Sequence, residues 1–279
     1  MAHDAGRVVA EEIEQVSRFN ERIRQFRETG GVSAAILPVA AFVGFILIWQ
    51  LVTTNGMVNP IIVPPPTEIV TALRGLLDES FFWEATWVTA KAALIGFVVG
   101  VVGAYVVGTL IGLFNRFSLA FYPLVVFFQI IPRVALAPVI LTWFGFGLTS
   151  QWLMAATICF FPVLVNVILG LEGVQVEARA LMRSFGASRW VEYRKLLLPA
   201  SLSAIFASLK VAVALSLIGA IVAEFIGASE GMGVLIREFS FQLLIPESFG
   251  VLIALSMMGL VFFAATTLLE RRVVFWRGH

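Results

Sequence analysis

Six long apolar runs take up most of this chain of 279 residues. A helix needs about 20 mostly apolar residues to cross the hydrocarbon core of a bilayer, and each run reaches that length. Charged residues make up only 13% of the sequence, well below the roughly 25% of an ordinary soluble domain. The sequence therefore predicts an all-α membrane protein with about six transmembrane helices. The predicted spans are 33–53, 88–113, 118–145, 151–171, 202–227 and 248–270.

The first 32 residues are polar and carry charges of both signs. Because several acidic residues precede the first apolar run, this start does not resemble a cleavable signal peptide. From Val9 to Phe26, apolar residues recur at steps of three and four, with arginines between them. The pattern is typical of an amphipathic helix that lies on the inner membrane surface or packs on protein. We predict a cytoplasmic helix within 1–32 and a transmembrane domain over 33–279.

Basic residues lie mainly on one side of the predicted membrane. With six crossings, both termini share a side with 114–117 and 172–201, and these segments hold most of the 19 Lys and Arg residues. The loops on the other side hold only Arg74 and Arg237. Cytoplasmic segments of membrane proteins carry such an excess. The sequence therefore predicts an inner-membrane protein with both termini, and the charged segment 172–201, in the cytoplasm.

Small residues recur at every fourth position of the second predicted span. They form one smooth stripe, along which another helix can approach closely. The stripe is predicted to pack within the subunit, or alternatively to line a dimer interface or a translocation path. Its members are Gly96, Gly100, Ala104, Gly108 and Gly112.

The common catalytic motifs are absent from this sequence. No lysine directly follows a glycine, so the chain lacks the Gly-Lys pair of a phosphate-binding loop for ATP. His3 and His279 lie at the two ends, and no cluster of Cys, His and carboxylates has metal-ligand spacing. The net charge of +1 gives no indication of a nucleic-acid partner. We expect neither enzymatic activity nor a bound cofactor in this chain.

The third predicted span contains prolines and an arginine in the segment FFQIIPRVALAP. Pro132 and Pro138 cannot donate a backbone hydrogen bond, which favours a broken or re-entrant helix. Such backbone is tolerated at membrane depth only inside protein or around a water-filled cavity. We therefore interpret Gln129, Pro132 and Arg133 as candidates for lining a substrate path, with a kinked structural helix as an equal alternative.

Polar residues within the other spans also need an explanation, since charges in a membrane usually face the interior or water. Lys91 and Lys210 lie near span ends, where a long side chain extends to the interface. Glu224 is a candidate for the mouth of a substrate path, or alternatively a loop-facing or paired carboxylate. Asn166 is a candidate for the path or for an interhelical hydrogen bond.

A charged stretch, EARALMRSFGASRWVEYRKLLLPA, separates the fourth and fifth predicted spans. A helix is favoured from Glu177 to Phe185, and Gly186 stops it in a left-handed conformation. Ser188 then caps a second helix, which Pro199 is predicted to end. The local prediction is helix, turn, helix.

Apolar residues share one face in each helix of this predicted pair. Exposed apolar and aromatic anchors on a cytoplasmic helix pair indicate a docking surface for another protein. A basic loop that anchors on membrane lipid is the alternative. The residues are Leu181, Met182 and Phe185 in the first helix and Trp190, Tyr193 and Leu197 in the second.

Gly186, nine further residues and then Leu196-x-Leu198-Pro199 resemble the EAA loop of the permease subunits of bacterial ABC importers. Other segments, including the PPPTE loop, IPRVALAPVILTWFGFG and GAIVAEFIGASEGMG, are similar to the nitrate/sulfonate/taurine permease group. The resemblance implies a type I importer bundle with a cytoplasmic coupling helix. It also implies ATPase subunits that bind ATP and Mg, a second permease copy, and a periplasmic or lipid-anchored substrate-binding protein.

In that family the loop inserts into a groove of the ATPase. The resemblance therefore implies that the matching residues of this chain contact an ATPase subunit. The position of the glutamate that names the loop is Ala180 in this chain, and the nearest acid, Glu177, lies about one turn earlier. The implied ATPase-coupling residues are Glu177, Ala180, Leu181, Arg183, Ser184, Phe185, Gly186, Ala187, Ser188 and Pro199.

The resemblance also bears on the substrate. Members that carry anions often have an arginine where this chain has Gln129. Gln129 followed by IP and ALAP is similar to the branch that imports vitamin precursors, of the thiamine-pyrimidine or riboflavin type. Nitrate, sulfonate, taurine or bicarbonate is the alternative substrate, to which Arg133 would be suited. A secondary transporter and a membrane scaffold without transport are alternatives of other classes.

Overall fold

The computed structural model describes residues 33–275, without the side chains of 33–35 and 115–119. The helix predicted within 1–32 lies outside the described residues. The helices are α1 Ser33–Thr54, α2 Pro66–Leu77, α3 Ser80–Leu113, α4 Asn115–Ile130, α5 Ala137–Phe144, α6 Leu148–Glu172, α7 Val176–Ser184, α8 Arg189–Glu192, α9 Leu198–Ile226, α10 Met232–Phe241 and α11 Ile245–Val273. A 3₁₀ helix, Arg133–Leu136, precedes α5, and a π-helix, Tyr193–Leu197, joins α8 to α9.

Two compact units divide the chain between Glu68 and Ile69. In the first, the side chain of Gln50 in α1 holds the segment that follows. Its Nε2 donates to Oγ1 of Thr67 at 3.1 Å, and its Oε1 accepts from the Thr67 N–H at 3.2 Å. Helix α2 begins at Pro66, the last of three consecutive prolines, because a proline at the first helical position needs no N–H partner.

Five helical segments of the described part are long and apolar enough to cross a membrane, and a broken pair makes a sixth. The broken pair is Ala120–Ile130 with Arg133–Phe144, bent by 83°. Ile131 and Pro132 have extended backbone at the bend, as expected where a proline follows. The prediction of an all-α membrane bundle with an interrupted third span is confirmed.

Helix α6 packs against both α3 and α9 in the second unit, and small residues allow the close approach. A Cβ at Gly96 would lie 2.4 Å from the Cβ of Ala155, and one at Gly100 would lie 2.6 Å from Sγ of Cys159. On the other side, a Cβ at Gly219 of α9 would lie 2.5 Å from Cα of Ala155. The stripe therefore packs within the subunit, and its alternatives, a dimer interface or a translocation path, are wrong.

Helix α3 begins at Ser80, earlier than the predicted start at 88. Phe82 and Ala85 in this extension are buried in a cluster with Met232 of α10 and Val251 of α11. The extension is therefore stabilised by packing on protein, which a search for apolar runs does not detect.

Lys210, which is predicted to extend to the membrane interface, forms an ion pair at the end of α11. Its Nζ lies 2.5 Å from Oε2 of Glu270 in α11. The ion pair joins α9 to α11 and neutralises a charge in a predicted span.

Candidate functional site

The turn between α7 and α8 has the geometry that its sequence predicts. Gly186 has φ of +72°. Its N–H donates to the Arg183 carbonyl at 2.9 Å, and the Ala187 N–H donates to the Met182 carbonyl at 3.1 Å. These are the paired bonds of a Schellman motif. The Ser188 hydroxyl then accepts from the Val191 N–H at 3.4 Å, so the helix, stop and cap are confirmed.

Three large apolar side chains stand exposed around this turn. Leu181 is 59% exposed, Phe185 80% and Trp190 65%. We call these three residues the apolar patch. Isolated exposed apolar residues are common, but a group of them on an ordered turn indicates an interaction surface. Glu177, Ala180, Arg183 and Ser184 are exposed on the same element.

Tyr193 and Leu197 were predicted to share the exposed face of the second helix with Trp190, and this is wrong. Both are buried in the core cluster formed mainly by α6, together with residues of α3 and α9. The Tyr193 and Tyr105 hydroxyls form a hydrogen bond that joins the π-helix to α3. The second helix therefore presents Trp190 outwards and fixes its other aromatic residue inside the bundle.

Polar contacts tie α7 to its neighbours. Nε of Arg183 lies 3.4 Å from Oε2 of Glu192, whose side chain is only 6% exposed. The guanidinium of Arg179 donates to the carbonyl of Leu171 at the end of α6. Helix α7 is thus attached at the helix before it and at the helix after it, and the apolar patch lies between these contacts.

Pro199 does not end the second helix, contrary to the prediction. The Leu198 N–H donates to the Tyr193 carbonyl in the π-helix pattern, and Pro199 lies in the first turn of α9. A proline is tolerated there because its missing N–H leaves no broken bond in a new first turn. Residues from Arg189 to Ile226 form one candidate span, so α8 is directly continuous with a membrane helix.

Arg133 lies at the bend of the third span, beside α6. Its guanidinium carbon is 5.0 Å from the centre of the Phe161 ring, and Nη1 lies 3.5 Å from the Ile158 carbonyl. Pro162 lacks the N–H that would normally bond to that carbonyl, so Arg133 replaces the missing donor. Nε of Arg133 is buried without a partner among the described residues.

The other candidate residues of the path differ in their surroundings. Gln129 and Pro132 are exposed on either side of the break. Nδ2 of Asn166 donates to the Pro162 carbonyl at 2.8 Å, so this bond lies within α6 and is not interhelical. The structure brings Gln129, Pro132 and Arg133 to one bend, with Asn166 further along the neighbouring helix.

Glu224 is fully buried. Oε1 accepts from the Thr89 hydroxyl at 2.8 Å, and Oε2 accepts from the Gly233 N–H at 2.7 Å. The Thr89 oxygen in turn accepts from the Met232 N–H at 2.8 Å. The carboxylate fastens the start of α10 to α3, as the paired alternative predicted, and does not line an open mouth in this conformation. We call these residues the Glu224 clasp.

Sequence reasoning did not single out Thr89, Tyr105 or Glu192. The partners of Thr89 and Tyr105 lie 135 and 88 residues away, beyond the reach of any local pattern. Their one available signal was a polar residue within an apolar span.

Comparison with known proteins agrees with these features. The family model "Binding-protein-dependent transport system inner membrane component" matches residues 94–275. The formylaminopyrimidine transport permease protein ThiX of Halalkalibacterium halodurans is 32% identical over 87% of this chain and 96% of its own length. The riboflavin transport system permease protein RibX of Chloroflexus aurantiacus is 31% identical over 94% of this chain and 97% of its own. A putative aliphatic sulfonates transport permease protein, SsuC of Bacillus subtilis, is 28% identical over 89% of each chain.

The match covers the broken span, the α7–α8 turn and the Glu224 clasp, apart from Thr89. It excludes a secondary transporter that works alone, since proteins of this class operate with ATPase and substrate-binding partners. The chain belongs to the family of binding-protein-dependent transport system inner membrane components, and it is the permease subunit of an ABC importer rather than an enzyme.

Proposed function

We propose that this permease imports an uncharged, planar heterocycle of the vitamin-precursor class, such as a pyrimidine or riboflavin. Gln129, exposed at the end of α4 beside the break, carries this proposal. A neutral amide both donates and accepts hydrogen bonds, which suits the edge of a heterocycle. Two of the relatives are named for such compounds.

The surroundings of Arg133 support an uncharged substrate. Its guanidinium faces the Phe161 ring and the Ile158 carbonyl, so its charge is directed into the protein. An anion carrier needs a cation that faces the path. In this conformation, Arg133 instead donates to the Ile158 carbonyl, which Pro162 leaves without its usual donor within α6.

A sulfonate, nitrate, taurine or bicarbonate is the second candidate. The observation that favours it is the unpartnered Nε of Arg133, together with the sulfonate relative. For this candidate, Arg133 would leave Phe161 and turn towards the path when the substrate arrives.

Ligand binding to the partner substrate-binding protein separates these candidates. Calorimetric titration with pyrimidines, flavins, taurine and nitrate should show tight binding of a heterocycle only. Uptake by the reconstituted importer should fall about tenfold in Gln129→Ala, the loss expected for one or two hydrogen bonds, and stay unchanged in the control Gln242→Ala. Tight binding of taurine or nitrate alone would overturn the proposal.

We infer that α7 and the turn after it form the contact with the ATPase. The apolar patch offers the anchors, and the Schellman turn fixes their direction. ATP and Mg bind to the ATPase, whose closure pushes α7. The continuous run from Arg189 to Ile226 would carry this movement into the membrane.

The remaining parts of the proposed cycle rest on the family. A second permease copy pairs with this one around a central path, and the spans open alternately to each side. With both termini in the cytoplasm, the substrate-binding protein, periplasmic or lipid-anchored, delivers its ligand to the opposite face. Co-purification of the permease from detergent-solubilised membranes should recover the ATPase. Unchanged uptake after Gly186 is replaced would instead favour a scaffold role for this turn.

A further inference from the structure

A cavity of about 350 Å³ lies between the first half of α3, the segment 147–151 and the segment 229–230. Its polar lining consists of Lys91, Gln151, Ser229 and Glu230, and Trp87 supplies an aromatic wall. None of these residues takes part in the coupling turn or the bend of the third span. The volume falls at the lower end of the range for small-molecule sites.

The cavity lies where α6 begins and α9 has just ended. Charge distribution predicts that this end of both helices is the outer one, at the depth of the lipid headgroups. Trp87 is 66% exposed beside the cavity, and tryptophan is enriched at that depth. The position is therefore accessible to a lipid headgroup and to a small solute from outside.

Hydrogen bonds fix the walls of the cavity. Nε2 of Gln151 donates to the Glu230 carbonyl at 2.8 Å, and the Ser229 N–H donates to the Phe146 carbonyl at 3.3 Å. The Glu224 clasp holds the residues that follow. Because these bonds join the segments that line it, the cavity is a defined site and not a gap under a loose loop.

The cavity is lined by one basic and one acidic side chain. Lys91 and Glu230 are both exposed to it, yet neither has an ion-pair partner in the described part of the chain. Gln151 is 1% exposed, and its Oε1 has no hydrogen-bond partner among the described residues. The cavity therefore offers a cation to an anionic group and a carboxylate to a cationic group.

We propose that this cavity binds a zwitterion that joins an ammonium to a phosphate or similar anion. The anion lies at Lys91 and the ammonium at Glu230, with Trp87 against the connecting methylenes. A phosphatidylethanolamine headgroup and a free phosphoethanolamine-like solute share this chemistry. The site is additional to the proposed substrate path and does not depend on it.

Native mass spectrometry of the permease–ATPase complex tests the proposal. The complex is reconstituted in nanodiscs of phosphatidylglycerol, with or without phosphatidylethanolamine, and the retained lipid is counted. Lys91→Gln and Glu230→Gln should each reduce retained phosphatidylethanolamine by about tenfold, the loss expected for one charge-assisted hydrogen bond. Arg74→Gln and Glu84→Gln remove exposed charges outside the cavity and should change nothing.

A double variant distinguishes the loss of the binding site from misfolding of the single variants. Lys91→Glu and Glu230→Lys together should restore retention that each reversal alone abolishes, because a zwitterion can bind in the opposite direction. The source of the ligand is identified by calorimetric titration of phosphoethanolamine into the complex in nanodiscs that lack phosphatidylethanolamine. If phosphoethanolamine binds and the binding depends on Lys91, the ligand is a free solute. If only the lipid is retained, the ligand is the lipid headgroup. The proposal would be overturned if the wild type retained phosphatidylethanolamine and phosphatidylglycerol equally and did not bind phosphoethanolamine. It would also be overturned if Lys91→Gln and Glu230→Gln retained as much phosphatidylethanolamine as the wild type.

Discussion

Around the α7–α8 turn, large apolar side chains are exposed to solvent. At the start of α10, in contrast, a carboxylate lies in the interior and both of its oxygens accept hydrogen bonds. Phe185 is 80% exposed, and Glu224 is 0% exposed. Each arrangement is costly unless a partner compensates for it. Glu224 has its partners within the chain, whereas the side chains of the apolar patch are mostly exposed in the described part of the chain.

The difference indicates which contacts serve folding and which serve assembly. Burying a carboxylate is tolerated only when hydrogen bonds replace its water, so the Glu224 clasp is part of the folded subunit. Water does not stabilise an exposed apolar patch, so we expect its stabilisation to come from a partner protein that covers it. Substitutions in the two regions should therefore separate into losses of stability and losses of coupling.

Glu224→Ala should have the largest effect. The change removes two hydrogen bonds to a charged group and leaves the Gly233 N–H and the Thr89 hydroxyl without their acceptor. We expect a loss of about 3 kcal/mol in the free energy of unfolding, measured by denaturation in mixed micelles. Glu238→Ala, an exposed glutamate of α10, is the control. Equal stability of the two variants would show that the clasp does not hold the subunit.

Phe185→Ala should leave the subunit stable and weaken the complex. The side chain is mostly exposed in the isolated subunit, so its removal costs little in folding. As a buried anchor of an interface, it should contribute about 2 kcal/mol, which is roughly a thirtyfold loss of affinity for the ATPase. Binding to the purified ATPase and thermal unfolding measure the two quantities.

The control for Phe185 is Phe241→Ala, since Phe241 is 82% exposed in α10. This variant should retain both affinity and stability. If Phe185→Ala lowers stability as well, the apolar patch is part of the fold and the contrast with the Glu224 clasp fails.

Local signals in the sequence predicted the geometry of the α7–α8 turn well. Gly186 and Ser188 act through bonds to residues at most five positions away, so their pattern carries its own geometry. The six apolar runs likewise predicted the spans, because crossing a bilayer demands length and composition alone.

Contacts between distant parts of the chain could not be predicted in this way. Glu224 was identified as an unusual charge, but its partners on α3 and α10 follow only from the packing of three elements. The same holds for Tyr193, which the helical pattern placed beside Trp190 and the fold turned inwards to Tyr105. Pro199 misled the prediction because a proline fits the first turn of a helix as well as the end of the preceding one.

Gly186→Ala should destabilise the α7–α8 turn by an amount between the effects of Phe185→Ala and Arg183→Gln. The residue has φ of +72°, and an added Cβ would meet nothing within 4 Å, so the cost is that of the backbone alone. We expect about 1 kcal/mol of lost stability, and a smaller loss in Gly186→Asn, because asparagine adopts this conformation more readily. Thermal unfolding and ATPase-driven uptake should fall in the same order. A larger defect in the asparagine variant would contradict the conformational explanation.

Arg183→Gln should have the smallest effect, although it breaks an ion pair with a buried carboxylate. The Arg183 side chain is 67% exposed, and water screens such a pair, so we expect a loss of about 0.5 kcal/mol. The loss should become smaller at high salt, since salt screens the exposed charge of Arg183. A double-mutant cycle with Glu192→Gln isolates the pair from other effects. A coupling energy as large as the effect of Glu224→Ala would mean that charge, and not the Schellman turn, fixes the apolar patch, and the contrast between the two regions would no longer hold.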